Sequence, residues 1–201
     1  MRKRARFPLR LVLLISVAAC VSGGHVVAAL QPAEVALPAL ADAYVRAGIH
    51  SAENFGTAKI LTAKKGVTDD NTRRSYLRFD VSAVGDADRV MLRLYGRLSN
   101  VANQNVKTTV YAVANNTWDE NTVTWNTRPD LGTIIGSLVI QGTTPQWLNV
   151  DVTKYVRSEK AAGRQVISLA LRDLVHASPY SIFNSREAAL NAPALIIVPA
   201  M

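Results

Sequence analysis

Seven residues between positions 59 and 78 form a group able to recognise negative charge: Lys59, Lys64, Lys65, Arg73, Arg74, Tyr76 and Arg78. The acids within that stretch are Asp69 and Asp70. Residues on a strand alternate between its two faces, so Arg74, Tyr76 and Arg78 share one face and leave Leu77 and Phe79 to the other. A tyrosine ring between two guanidinium groups suits a ring-shaped anion, because the aromatic face stacks and the planar fork of arginine takes a carboxylate in bidentate fashion. Arg93, Tyr95 and Arg97 repeat the pattern on a later strand. The structural alternative for both triplets is a solvated sheet face carrying cross-strand cation–π pairs.

Catalytic chemistry finds less support. The chain contains no HExxH, GxSxG, P-loop or GxGxxG pattern. Asp119 and Glu120 are the best carboxylate pair, but neighbours on a strand face opposite ways and paired catalytic carboxylates must share a cleft, so both read as turn formers or caps. Asp69 and Asp70 read as solvated loop residues. His25, His50 and His176 are scattered, and the one cysteine excludes both an internal disulfide and a multi-cysteine zinc site. Trp118 and Trp125 read as core or corner residues rather than sugar platforms. Arg186 and Glu187 read as a pair inside the fold or a loop clamp. The sequence therefore predicts a protein that is not an enzyme and calls for no cofactor. Asp42, at the start of the first strand, is the candidate position for a structural calcium, although no cofactor is expected.

Charge narrows the partners further. The 201 residues carry 23 Lys plus Arg against 15 Asp plus Glu, a formal +8. Five of these cations, Arg2, Lys3, Arg4, Arg6 and Arg10, lie in the first ten residues, so the remainder holds 18 against 15. That modest surplus, without a nucleic-acid motif, argues against nucleic acid as a partner. Arg2 to Arg10 followed by the apolar run Leu11 to Val21 reads as an export signal, too short for a spanning helix. Val17-Ala18-Ala19 before Cys20 resembles a lipobox, with Cys20 as the lipidated residue, whereas Val27-Ala28-Ala29 suits an ordinary signal peptidase. Both readings predict a secreted or extracellular protein. The first adds a lipid anchor at the cell surface, the sole route to a membrane.

The elements that must position these residues are strands. Gln31 to Leu40, with two Pro and three Ala, reads as a linker. Beyond it, Leu77, Phe79 and Val81, then Val90, Leu92, Leu94 and Leu98, alternate with polar or outward residues. Short apolar segments follow at 106–113, 134–140, 146–152, 165–172, 180–184 and 194–198, separated by Asn, Gly, Asp and Pro clusters. Many short strands with turns predict an all-β sandwich or jelly roll with Leu77, Phe79, Leu92, Leu94, Val110, Leu169 and Leu171 in its core. One short helix is expected, capped by Asp151 or Thr153 and ended by Gly163. The expected organisation is a signal and tether over 1–29, a linker over 30–40 and one β-sandwich over 41–199.

Six segments add a resemblance: ADAYVRAG from Ala41, NFGTAKILTAKKG from Asn54, RRSYLRFDVS from Arg73, TWDENTVTWNTRP from Thr117, WLNVDVTKYV from Trp147 and NSREAALNAPALIIV from Asn184. In this order they resemble family 96 of the carbohydrate-binding modules, the DNRLRE-type domains. The resemblance implies a jelly-roll β-sandwich, secreted or wall-associated, non-catalytic and often attached to polysaccharide lyases or hydrolases. It also implies an acidic polysaccharide such as alginate as ligand, bound on a basic surface, which favours the patch from Lys59 to Arg78. The alternative is a structural or adhesive cell-surface sandwich without a sugar site.

Overall fold

The computed structural model describes residues 17–20, 27–30, 33–85, 87–101, 105–175 and 178–199. His25 and His176 lie outside them, as does most of the expected signal; among the described residues Val17–Cys20 (β1) and Val27–Leu30 (β2) form a two-stranded sheet of their own. The remaining strands are Val35–Pro38 (β3), Ala41–Arg46 (β4), Ile60–Ala63 (β5), Arg73–Asp80 (β6), Ala87–Leu98 (β7), Val106–Val113 (β8), Ile134–Ile140 (β9), Gln146–Asp151 (β10), Val166–Asp173 (β11), Ser181–Asn184 (β12) and Ala194–Pro199 (β13). They form two antiparallel sheets.

One sheet has the order β4-β6-β11-β8-β9. The other is built around β7. Because Met91 to Gly96 pair with β10 and the same strand also pairs with β13 and β12, β10 occupies one edge of β7 while β13 and β12 lie end to end along the other. β3 flanks β13 and β5 flanks β12. From β3 to β8 each strand crosses to the opposite sheet, which is the winding of a jelly-roll sandwich. The stretch read as a linker thus contains an edge strand. Its two prolines obscure the pattern, yet proline is tolerated at a sheet edge where no N–H is required.

The core follows the alternation. Leu77, Phe79, Leu92, Leu94, Val110, Leu169 and Leu171 are all fully buried in one cluster between the sheets. Each such side chain contributes about 1.5–3 kcal/mol by leaving water. At Gly96 an added Cβ would sit 2.5 Å from Phe183 Cδ1, so this inward position of β7 leaves room for the ring of its cross-strand partner.

The expected helix is Thr153–Ala161 (α1). Asp151 accepts from Thr153 N and Oγ1 at 2.9 and 2.6 Å and sets its start. Gly163, at φ +78°, takes the left-handed conformation just past its end. Lys160 fastens the helix to the sandwich by donating to the carbonyls of Val81, Ser82 and Val84. Among the described residues no helix is long and apolar enough to cross a membrane.

A second, smaller core lies on the outer face of the five-stranded sheet. Ala41, Ala43 and Val45 of β4, Tyr76 of β6, Ala170 of β11, and Tyr111 and Val113 of β8 present one surface there. Trp118 and Val123, from the segment between β8 and β9, cover it, with Trp125 and Leu131 packed alongside. Trp118 donates from Nε1 to Ser168 Oγ at 3.1 Å and meets Tyr76 edge-on. The tryptophans thus lock a corner, as their sequence context predicts.

Candidate functional site

The roof decides the fate of the sequence-derived patch. Arg74, Tyr76 and Arg78 do share a face, but it is the roofed one. Tyr76 has no exposed surface and donates its hydroxyl to Pro129 O at 2.8 Å. Arg78 lies over the Trp118 ring, with Cζ 5.4 Å from its centroid, and donates to Trp118 O at 2.5 Å. Arg74 sits over Trp125, whose ring also receives Arg128. The expectation that Tyr76 stacks on a sugar, flanked by Arg74 and Arg78, is corrected here: strand parity assigns the face, but a segment more than thirty residues downstream covers it.

The other four residues remain near solvent. Lys59 is exposed. Lys65 pairs with Asp69 at 3.0 Å across an exposed turn. Lys64 and Arg73 face each other, with Lys64 N donating to Arg73 O at 3.1 Å and Arg73 N to Lys64 O at 2.9 Å. Both side chains converge on Tyr180, the Lys64 Nζ lying 5.2 Å and the Arg73 Cζ 5.1 Å from the ring centroid.

Register adds residues that sequence reasoning missed. Arg46 is directly opposite Arg73, and Tyr44 opposite Ser75, so Tyr44 and Arg46 share the inward-facing side of β4 and β6. Farther along β6 that side enters the core at Leu77 and Phe79; at this end Tyr44, Arg46 and Arg73 stay only partly covered. Tyr44 stacks on Phe55 with ring centroids 4.4 Å apart. The result is a strip running from Phe55 and Tyr44 through Arg46, Arg73 and Lys64 to Tyr180.

The strip gathers three cations. None of the ion pairs among the described residues involves Arg46, Lys64 or Arg73. The Nε atoms of Arg46 and Arg73 are buried without a hydrogen-bond acceptor. Burial, and then the charges of Arg73 and Arg46, hold the Lys64 ammonium below the usual lysine range. Burial raises the Tyr44 hydroxyl, against the pull of the same two arginines. The fold therefore holds three cations close together beside aromatic rings, a geometry that an incoming carboxylate relieves.

The second triplet lies on the other sheet from the first. Arg93, Tyr95 and Arg97 are half-buried on the outer face of β7. Trp147, 46% exposed, packs edge-on against Tyr95, and Arg93 donates to Asn149 Oδ1 at 3.1 Å. It forms the cross-strand cation–π arrangement of a sheet face.

Asp119 is a turn former, accepting from Asn121 N at 2.8 Å. Glu120 is not. Its carboxylate accepts from Asp42 N at 2.6 Å and from Arg186 at 2.7 Å, joining the segment that covers the sheet to the edge of β4 and to the excursion between β12 and β13. His50 contacts Glu53 at 2.9 Å on the surface.

Two antiparallel sheets packed face to face on one core define a class, the β-sandwich modules. The chain belongs to carbohydrate-binding module family 96, which matches residues 33–199. It is also similar to a gellan lyase of Bacillus sp, with 25% identity over 178 residues, covering 87% of this chain and 7% of that protein's length. Among solved structures it is similar to the N-terminal endo-1,4-beta-D-xylanase 10B of Clostridium thermocellum complexed with xylohexaose, at 9% identity and a TM-score of 0.35 over 85% of this chain and 29% of that one. The chain is a carbohydrate-binding module.

Proposed function

We propose that the module binds an acidic polysaccharide along the strip formed by Phe55, Tyr44, Arg46, Arg73, Lys64 and Tyr180. The observation that carries this reading is the convergence of Lys64 and Arg73 on one tyrosine ring, with Arg46 in register beside them and none of the three ion-paired among the described residues. A uronic-acid ring stacks its apolar face on Tyr180 while its carboxylate takes the arginine forks. Neutral glycans supply the stacking but not the charge. The likeness to a gellan lyase supports a polysaccharide ligand and places gellan beside alginate and pectin as probes.

The module acts by binding rather than by cleavage: Glu120, the better placed of the two carboxylates considered for chemistry, is engaged by Asp42 N and Arg186. Export belongs to the same reading, supported by the cationic start and apolar run of residues 1–21, with lipidation at Cys20 as its anchored form.

Affinity electrophoresis tests the reading. Migration should be retarded in gels containing alginate, gellan or pectin and unchanged in gels containing neutral xylan, with no reducing ends or unsaturated sugars released. Equal retardation by neutral xylan, or no retardation by any of the acidic polymers, would overturn it.

A further inference from the structure

Asp42 projects inward from β4 and is 1% exposed, yet its Oδ1 has no hydrogen-bond partner. Its Oδ2 accepts from Arg186 N at 2.8 Å. A buried carboxylate oxygen left unpaired is costly, because it has lost its water and gained nothing in return. Burial foremost, with the nearby charges of Glu187 and Glu120 adding to it, pushes the Asp42 carboxyl up to about 8, against the pull of the Arg186 backbone N–H and guanidinium.

Asp42 belongs to a group of like charges. One carboxylate oxygen from each of Asp42, Glu120 and Glu187 lies within 4.8 Å of the other two. Glu187 Oε2 is likewise buried and unpartnered. Among the described residues Arg186 is the one cation ion-paired with this group, 2.7 Å from Glu120 Oε2 and 3.7 Å from Glu187 Oε1. One guanidinium leaves two carboxylate charges unbalanced when all three acids are ionised. Oxygens that share one calcium ion, each about 2.3–2.6 Å from it, lie no more than about 5 Å apart, which is the spread found here.

We infer that Asp42, Glu120 and Glu187 form a binding site for a calcium-sized divalent cation, with Asp42 Oδ1 and Glu187 Oε2 as its unclaimed ligands and water completing the shell. The ion joins three segments: the edge strand β4, the segment that roofs the outer face, and the turn between β12 and β13. Its role is structural. The site shares no residue with the aromatic and cationic strip, although Asp42 and Tyr44 lie two residues apart on β4, and the inference stands whichever glycan the strip takes.

The test is made on the purified full chain after chelator treatment, by calorimetric titration with calcium and by melting with and without 1 mM calcium. One ion should bind, and the melting temperature should rise by about 5–10 °C, the shift expected when ligand is present at about 100 times its dissociation constant. Asp42→Asn and Glu187→Gln should each abolish that rise. In chelator, Asp42→Asn should melt at or above the parent, because an amide keeps the bond to Arg186 N without burying a titratable acid. If Asp42→Asn does not fold, the partly exposed Glu187→Gln decides alone. No calcium-dependent shift in the parent, or a shift retained by a folded variant, would overturn the assignment.

Discussion

Replacing Arg46, Lys64 and Arg73 together by alanine should weaken binding to an acidic polysaccharide by about 100-fold while leaving the melting temperature within a few degrees of the parent. Each of the three is partly exposed, so a contact from its charged head to a carboxylate is worth about 1 kcal/mol after solvent screening, and three such contacts amount to about two decades of affinity. Stability is little affected because these groups repel one another and none is in an ion pair among the described residues. Lys65→Ala serves as the control: its ammonium is held by Asp69 at the loop, so its loss should change affinity less than threefold. A triple variant that binds as tightly as the parent would place the glycan elsewhere.

Tyr76 should behave in the opposite way. Tyr76→Ala is expected to cost about 3–5 kcal/mol of stability, because it opens a cavity beneath Trp118 in the covered outer core. Tyr76→Phe should cost about 1–2 kcal/mol, since the Pro129 carbonyl loses its donor in a buried setting. Below its own melting transition, Tyr76→Phe should bind acidic polysaccharide with unchanged affinity, whereas Tyr180→Ala should lose affinity and keep its stability. Denaturant unfolding and calorimetric titration on the same preparations separate the two effects. A Tyr76→Phe variant with weakened binding and parental stability would restore Tyr76 to the ligand surface.

The contrast between these two tyrosines shows what the sequence discloses and what it withholds. Alternation at Leu77, Phe79, Leu92 and Leu94 is a local signal, and the core it implies is the observed one. The helix is equally legible, since Asp151, Thr153 and Gly163 act within a few residues of its ends. Parity also assigned Arg74, Tyr76 and Arg78 to one face correctly. Whether that face meets water depends on residues 114–133, whose placement no local pattern reveals. The strip depends on contacts of the same long-range kind. Lys64 and Arg73 lie within the basic stretch, but Arg46 joins them through the β4–β6 register and Tyr180 through the pairing of β12 with β5. Asp42 could be singled out by its position, whereas its partners Glu120 and Glu187 become neighbours only when the jelly roll closes.

The central claim is that charge on this strip selects the glycan, and calorimetric titration at two ionic strengths tests it most directly. With an acidic oligosaccharide, affinity should fall at least tenfold between about 0.05 M and 0.5 M salt, because partly exposed charges are screened over about 8–10 Å already at physiological ionic strength. A neutral oligosaccharide of the same length should give no measurable heat at either salt. Affinity for the acidic chain that is independent of salt, or matched by the neutral one, would contradict the account.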